Sequence, residues 1–344
     1  MFVRPTTVGL GFLFGLPLLG LGACSDDATS RPDPSVAVTT GGADETGQGG
    51  EAPMPVLPEG GNGPVALMNP CNGWPQLCQR AYDRVTFPVT HAAMANSATF
   101  WKHPAQSQSV RTQLDSSIRG LMLEVHDKAG VPTLCFNDCA DGALPLVNEL
   151  KRVAAFLGDN PREVVTLLID NRVPASDLAQ AFDDAELSAY LYQGSGKWPT
   201  LGEMIERGER LVAFLSDATD AAAGFRSLND EVRATSDRAG AARELDCATP
   251  SGSADAPFVL LLQSLVETSE VPLEGAAGAG GASTTTVGWP TPELAATVNR
   301  DPFFSERVAF CSDLWGKPPS FVAVDFYEDS DVIGVAQRAS GLIP

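Results

Sequence analysis

The sequence predicts an α/β fold: a parallel sheet closed into a TIM-type (β/α) barrel and forming a single domain. Three observations predict it. From about residue 65 to the C-terminus, apolar strand-like runs alternate with amphipathic helical stretches, the pattern of a parallel sheet. His91, Glu124 with His126, Asp170 and Asp325 all fall at or just past the carboxyl ends of such runs, where barrel sites are built. No GxGxxG fingerprint follows the first run, which counts against an open doubly wound sheet.

The elements follow in order. Residues 84–90 read as a strand that ends at His91 and a polar loop, and residues 118–127 as the next strand. Residues 144–157 carry the helical stripe Val147, Leu150, Val153, Ala154 and Leu157, and a turn at 158–161 ends it. Residues 163–170 read as a buried strand, and residues 176–187 as a helix with Leu178 and Phe182 inward. Thr200 and Glu203 have capping-box spacing, so a helix starts there and runs to Gly208, before a strand at 211–215. A strand at 258–262 precedes a Gly/Ala/Ser/Thr stretch at 274–286, expected to be a flexible loop. Thr291-Pro292 opens a helix with proline at its first position, and residues 321–327 form the last strand.

The N-terminus is read as processing signal rather than fold. Residues 1–23 combine Arg4, an apolar run from Val8 to Leu21 and small residues before Cys24, as in a secretory signal. Leu21-Gly22-Ala23-Cys24 resembles the bacterial lipobox, so Cys24 is the expected lipidation site and lipid anchor to a membrane. Ser25 behind it favours the outer membrane of a cell envelope. The apolar run is short for a membrane span. Residues 24–64 are rich in Gly, Pro, Ser, Thr and acids and are expected to be a disordered tether to a domain at 65–344. Of seven cysteines, six remain after Cys24, and an exported chain suggests disulfides. Proximity favours Cys71–Cys78 and Cys135–Cys139, with Cys247 and Cys311 left over. The net charge of −20 argues against nucleic acid as a partner and against adsorption to anionic lipid by charge alone. A monomer is expected.

Six segments carry a family resemblance: Val89-Thr-His-Ala-Ala-Met94, residues 113–127, Leu134-Cys-Phe-Asn-Asp-Cys139, Asn160-Pro-Arg-Glu-Val-Val165, Trp198-Pro-Thr-Leu201 and Val324-Asp-Phe-Tyr327. In this order they resemble the X-domain of phosphatidylinositol-specific phospholipase C and its bacterial relatives, from about Cys71 to the C-terminus. The resemblance implies an irregular TIM-type barrel. It also implies one histidine as general base on an attacking hydroxyl and a second as general acid on the leaving alcohol. An arginine or a calcium ion would stabilise the phosphorane charge. Two imidazoles suit this chemistry because both proton transfers need groups with pKa near the working pH.

Carried over by position, His91 is the first histidine. The second falls in a Leu-Cys-His-Gly pattern, where this chain has Phe136, and phenylalanine transfers no proton. Many relatives have Asn or Asp where Ala92 stands. At the third and fifth positions after Arg119, where the family places acids or an arginine, stand Met122 and Glu124. The cation-binding set, for Ca2+ or another divalent cation, is thereby reduced to Glu124 and Asp170. His126 shares a strand face with Glu124 and is the candidate replacement acid; a loop hydrogen bond is its alternative role. Arg119 and Asp325 complete the catalytic candidates. For Asp325 the alternative is a buried pairing with Arg119 or backbone amides, and for Arg119 a structural place near the strand start. His103 reads as a loop histidine, and Tyr327 as lining the mouth or packing.

The leading function is a phospholipase C-type phosphodiesterase acting on a phosphoinositide, a glycosyl-phosphatidylinositol or a related phosphodiester. The alternatives are a glycerophosphodiester phosphodiesterase-like enzyme and a catalytically degenerate barrel that binds a lipid head group or glycan.

Overall fold

The strand-like runs close into most of a barrel. The computed structural model describes residues 69–219, 224–236, 239–272 and 284–344. The expected signal, lipidated Cys24 and tether lie outside the described residues. The described residues fall within one unit, Asn62–Pro344.

Strand β1 (Phe87–Thr90) leads through a loop and helix α1 (Val110–Asp115), capped by the Ser109 side chain, to β2 (Gly120–Lys128). The chain then folds back on β2 as β3 (Val131–Leu134) and β4 (Leu144–Pro145). Helix α2 is Leu146–Asp159, two residues later than expected at each end, because Leu144 pairs with Leu134 and Pro145 takes the N-cap position. Next come β5 (Val165–Asn171), α3 (Ala175–Asp184), α4 (Leu201–Arg207) and β6 (Leu211–Leu215). The capping box expected at Thr200 and Glu203 is formed. Short β7 (Phe225–Ser227), α5 (Leu228–Glu231) and β8 (Val232–Ala234) follow, then β9 (Phe258–Gln263).

The expected loop at 274–286 needs correction at its C-terminal end. β10 (Glu267–Pro272) pairs antiparallel with β11 (Thr284–Trp289), where a β-branched Thr-Thr-Thr-Val run favours the extended chain. Residues 273–283 lie outside the described residues. The chain ends with α6 (Pro292–Val298), α7 (Phe303–Trp315), β12 (Phe321–Val324) and α8 (Val332–Ala339). β12 stops three residues earlier than expected because Phe326 turns into the left-handed region at φ 47° and a 3-10 turn follows at Tyr327–Asp329. Asp325 therefore stands just past the strand, not within it.

Eight parallel strands run in the order β7-β6-β5-β2-β1-β12-β9-β8. β7 and β8, joined by α5, are the two unpaired edges, so the barrel is nearly closed. Side chains alternate along each strand. Phe87, Val89, Leu168, Phe214, Phe258 and Phe321 fill the interior. Leu121, Leu167, Ile169 and Val322 face the helices, against Leu150, Phe182 and Val335. Gly120 is required by a close approach: a Cβ there would stand 2.5 Å from the Val89 side chain on the paired position of β1. Disulfides join Cys71–Cys78 and Cys135–Cys139, the pairs that proximity favoured, and Cys247–Cys311, the two cysteines left over. Among the described residues no helix is long and apolar enough to cross a membrane.

Candidate active site

His91 follows the last residue of β1, at the C-terminal mouth of the barrel. Its backbone N–H donates to Val324 O at 2.9 Å. The buried Gln106 amide donates to both the His91 carbonyl (2.8 Å) and the Val324 carbonyl (3.0 Å), stapling the ends of β1 and β12 together. Gln113, also buried, accepts from Thr90 Oγ1 and donates to Ala93 O. Ala92 occupies the left-handed region at φ 42°, a conformation that costs an L-residue energy and clusters at functional sites.

The two strand ends meet through side chains. His91 Nδ1–H donates to Asp325 Oδ1 at 2.9 Å, and Asp325 is 1% exposed. Ser264 Oγ donates to the other carboxylate oxygen, and Asn299 Nδ2 donates to the Asp325 carbonyl. A carboxylate on Nδ1 selects the tautomer with the basic lone pair on Nε2. A buried, doubly hydrogen-bonded carboxylate is the arrangement that orients a general base and stabilises its imidazolium.

Opposite lies a charged group. The parallel register sets Glu124 of β2 beside Asp170 of β5, and Arg172 follows β5. Arg172 Nη2 reaches Glu124 Oε1 at 3.0 Å and Asp170 Oδ2 at 3.7 Å. Glu124 also accepts from His126 Nε2 (2.6 Å) and from the Asn137 backbone N–H (3.3 Å). Burial raises the Glu124 pKa, but the His126 and Asn137 hydrogen bonds and the Arg172 charge outweigh it and hold the carboxyl below its ordinary range. Asp170 accepts from Ser216 Oγ at 2.8 Å.

A cavity of ≈ 360 Å³ opens between these groups, lined by His91, Glu124, Asp170, Arg172, Phe136 and Asn137 among others. Its volume is in the range of small-ligand pockets. The Phe136 ring stands perpendicular to those of His91 and Trp289, with centroids 5.6 Å from each. The Cys135–Cys139 disulfide closes the loop that carries it. Asn137 Nδ2 donates to Gly288 O at 3.0 Å and so ties this loop to β11.

The structure thus brings His91, Asp325, Glu124 and Asp170 to one mouth. His126 is placed beside Glu124 and is not among the described residues lining the cavity, so it reaches the cavity only through that carboxylate. Arg119 requires correction. It precedes β2, at the opposite end of the barrel, where its Nε donates to Glu163 Oε2 at 2.6 Å and its Nη1 to the Leu114 and Ile118 carbonyls. Its chain position at the strand start dictates this, and Asp325 pairs with His91 instead. His103 stacks on Trp289 at 4.5 Å and meets Asp141 at 3.2 Å. Tyr327 packs in the helix layer and bonds Ser116.

The donor set fits a calcium ion poorly. Calcium takes six to eight oxygens. Among the described residues no cluster of three or more His, Cys, Asp or Glu is suited to a metal, and the Arg172 guanidinium already bridges Glu124 and Asp170.

Sequence reasoning missed Arg172, Ser264, Asn137 and Gln106. Arg172 had a local signal, since it stands two residues past Asp170 at a strand end. Ser264 likewise follows the end of β9. Gln106 had none, because its partners are 15 and 218 residues away.

Residues 77–232 match the family model PI-PLC X 1. A protein of Arthroderma benhamiae called an uncharacterized secreted protein is 28% identical over 289 residues, covering 77% of this chain and 62% of its own length. PI-PLC X domain-containing protein 1 of the same fungus is 33% identical over 162 residues, covering 44% of this chain and 52% of its own length. The chain thus spans only about half to three-fifths of these curated relatives. A solved structure of phosphatidylinositol-specific phospholipase C from Staphylococcus aureus superposes with a TM-score of 0.50 at 12% identity, covering 75% of this chain and 93% of that one. That likeness concerns the fold.

Proposed function

We propose, from the premise that residues 77–232 belong to the PI-PLC X-domain family, that the chain is a phosphodiesterase of the phospholipase C type. The observation that carries the reading is the His91–Asp325 pair facing Arg172 across one cavity at the barrel mouth. His91 Nε2 takes the proton of the attacking hydroxyl, either a neighbouring hydroxyl of the substrate or water. That oxygen bonds to phosphorus, and the bond from phosphorus to the leaving oxygen breaks. Arg172 offsets the charge that grows on the phosphoryl oxygens. Its guanidinium has five donors, and Glu124 and Asp170 engage one terminal nitrogen.

Phe136 donates no proton, so the leaving oxygen is protonated by water at the open mouth. Substrates with acidic leaving groups are therefore favoured. Arg172 takes the charge-stabilising role otherwise given to calcium, and Glu124 and Asp170 hold Arg172 in place. His126 acts through Glu124 as a positioning residue.

The substrate class is a phospholipid or related phosphodiester. Three disulfides suit an oxidising, exported location, with Cys24 as lipid anchor and the barrel acting as a monomer. Metabolic labelling with a palmitate analogue, lost on Cys24→Ala, tests the anchor. Binding without turnover is the second reading, favoured by Phe136 and Ala92 at positions where relatives carry polar groups.

The test is hydrolysis of a panel of soluble phosphodiesters, inositol phosphodiester included, beside His91→Ala, with calcium and with chelator. Turnover lost in the variant and indifferent to chelator supports the reading. No turnover above the variant across the panel moves the assignment to a binding module.

A further inference from the structure

Strand β9 outruns its neighbour β8. β8 ends at Ala234, opposite Leu260, while β9 continues to Gln263. Two side chains take over the edge that β8 leaves. Thr235 Oγ1 accepts from Leu262 N at 2.9 Å, and Arg307 Nη1 of α7 donates to Leu262 O at 2.8 Å. The same nitrogen donates to Gln263 Oε1, and Arg307 Nη2 donates to Asp246 O at 2.8 Å. A guanidinium is an unfavourable group to bury there. Arg307 is 7% exposed, on the face of α7 that otherwise buries Phe304, Val308 and Cys311. Its partners among the described residues are uncharged oxygens, and its Nε has none. Burial pushes its pKa down to about 10, with the Asp246 charge offsetting part of the effect. A cation buried without a paired carboxylate weakens a fold, and an apolar side chain would suit this helix face better. Its role therefore lies in what it holds in place.

Two buried routes lead from Arg307 to the His91–Asp325 pair. Gln263 pairs with Val324 of β12, so Ser264 stands beside Asp325 and donates to its carboxylate. Gln263 Nε2 donates to Val298 O at 2.7 Å, and the next residue, Asn299, donates to the Asp325 carbonyl at 2.7 Å. The Cys247–Cys311 disulfide, one turn along α7, and the Trp315 Nε1 bond to Cys247 O at 3.1 Å fix the loop carrying Asp246 against the same helix. The guanidinium fork thus has a rigid support on one side and the end of β9 on the other.

We propose that Arg307 is a positioning residue for the His91–Asp325 pair: by clamping the free edge of β9 it sets where Ser264 and Asn299 hold Asp325 against His91 Nδ1. The clamp acts from the helix layer and touches no substrate. It rests on the phosphodiesterase reading only for its effect on turnover.

Proton binding at His91 tests it without a substrate. The full chain has three histidines, and the His91 Cε1–H proton resonance is the one lost in His91→Ala. Arg307→Met removes the clamp. Arg307→Lys keeps a buried cation but not the planar fork, and serves where the first variant does not fold. A carboxylate that no longer meets Nδ1 leaves the imidazolium without its counter-ion, so the His91 proton affinity is expected to fall about threefold or more. In turnover, kcat should fall about tenfold or more with KM within about twofold of the parent, and the loss should shrink to about twofold or less in an Asp325→Asn background. A His91 proton affinity equal to the parent's in folded Arg307→Met, or in folded Arg307→Lys where the first does not fold, overturns the proposal. So does the same loss of kcat with and without Asp325→Asn. A parent chain without turnover overturns the phosphodiesterase reading, and the proton affinity then decides this proposal by itself.

Discussion

Phe136→His restores an imidazole where the family pattern has its second histidine. The Phe136 and His91 ring centroids are 5.6 Å apart and the rings are edge to face, so an imidazole there stands across the reaction centre from the base. A positioned general acid contributes about 10²–10⁴-fold to a step with a poor leaving group. The lower bound, about 100-fold, corresponds to about 2.7 kcal/mol of barrier. The gain should appear with alkyl leaving groups and nearly vanish with 4-nitrophenolate, which departs without a proton. The cost to the fold includes the edge-to-face packing of Phe136 on His91 and on Trp289, each pairing worth about 0.5–1.5 kcal/mol, in addition to the apolar area that the buried ring covers. The Cys135–Cys139 bridge keeps the loop closed in the variant. The assay is kcat/KM for a pair of phosphodiesters that differ only in the leaving alcohol, measured for both chains. Equal gains on the two substrates, or no gain on the alkyl one in a folded variant, would refute the inference that a missing proton donor limits the rate.

Four further outcomes are expected. Asp325→Asn inverts the His91 tautomer preference and should lower kcat by about 10²–10⁴-fold with the far-ultraviolet spectrum unchanged. Arg172→Met should cost about 10²-fold or more in kcat/KM, while chelator leaves the parent rate unchanged; a chelator-sensitive parent would return Glu124 and Asp170 to a metal. The Glu124 carboxyl titrates lower in the folded chain than its ordinary 4.5, so its contribution to stability is full above that value and is lost as pH falls through the folded pKa. Urea midpoints below pH 4.5 should therefore fall less steeply for Glu124→Gln than for the parent. Ala92→Gly relieves a left-handed alanine and should raise stability by about 1 kcal/mol, seen as a higher thermal midpoint; an unchanged or lower one would show that the surrounding packing favours the alanine.

Much of the site was legible in one dimension. His91, Glu124 and Asp170 each fell at or near the end of an apolar run, with Asp325 inside a run expected to continue to Tyr327, and a parallel barrel gathers strand ends at one mouth whatever the loop lengths. The disulfide pairs followed from short separations and a remainder. Arg119 misled because it lies near the same acids in sequence, although a strand of nine residues carries it to the other end of the barrel. Arg172 escaped notice because its value depends on its neighbours: one guanidinium between two carboxylates from adjacent strands.

The sequence by itself determined the alternation of strands and helices, the polar strand ends and the loss of a proton donor at Phe136, since each is a property of a residue type or of a short-range period. Only the tertiary structure decided that Asp325, 234 residues from His91, would become its partner, and that Arg172 would bridge Glu124 and Asp170. Those facts depend on strand order and register, which are set when the whole barrel packs and are encoded in no single segment.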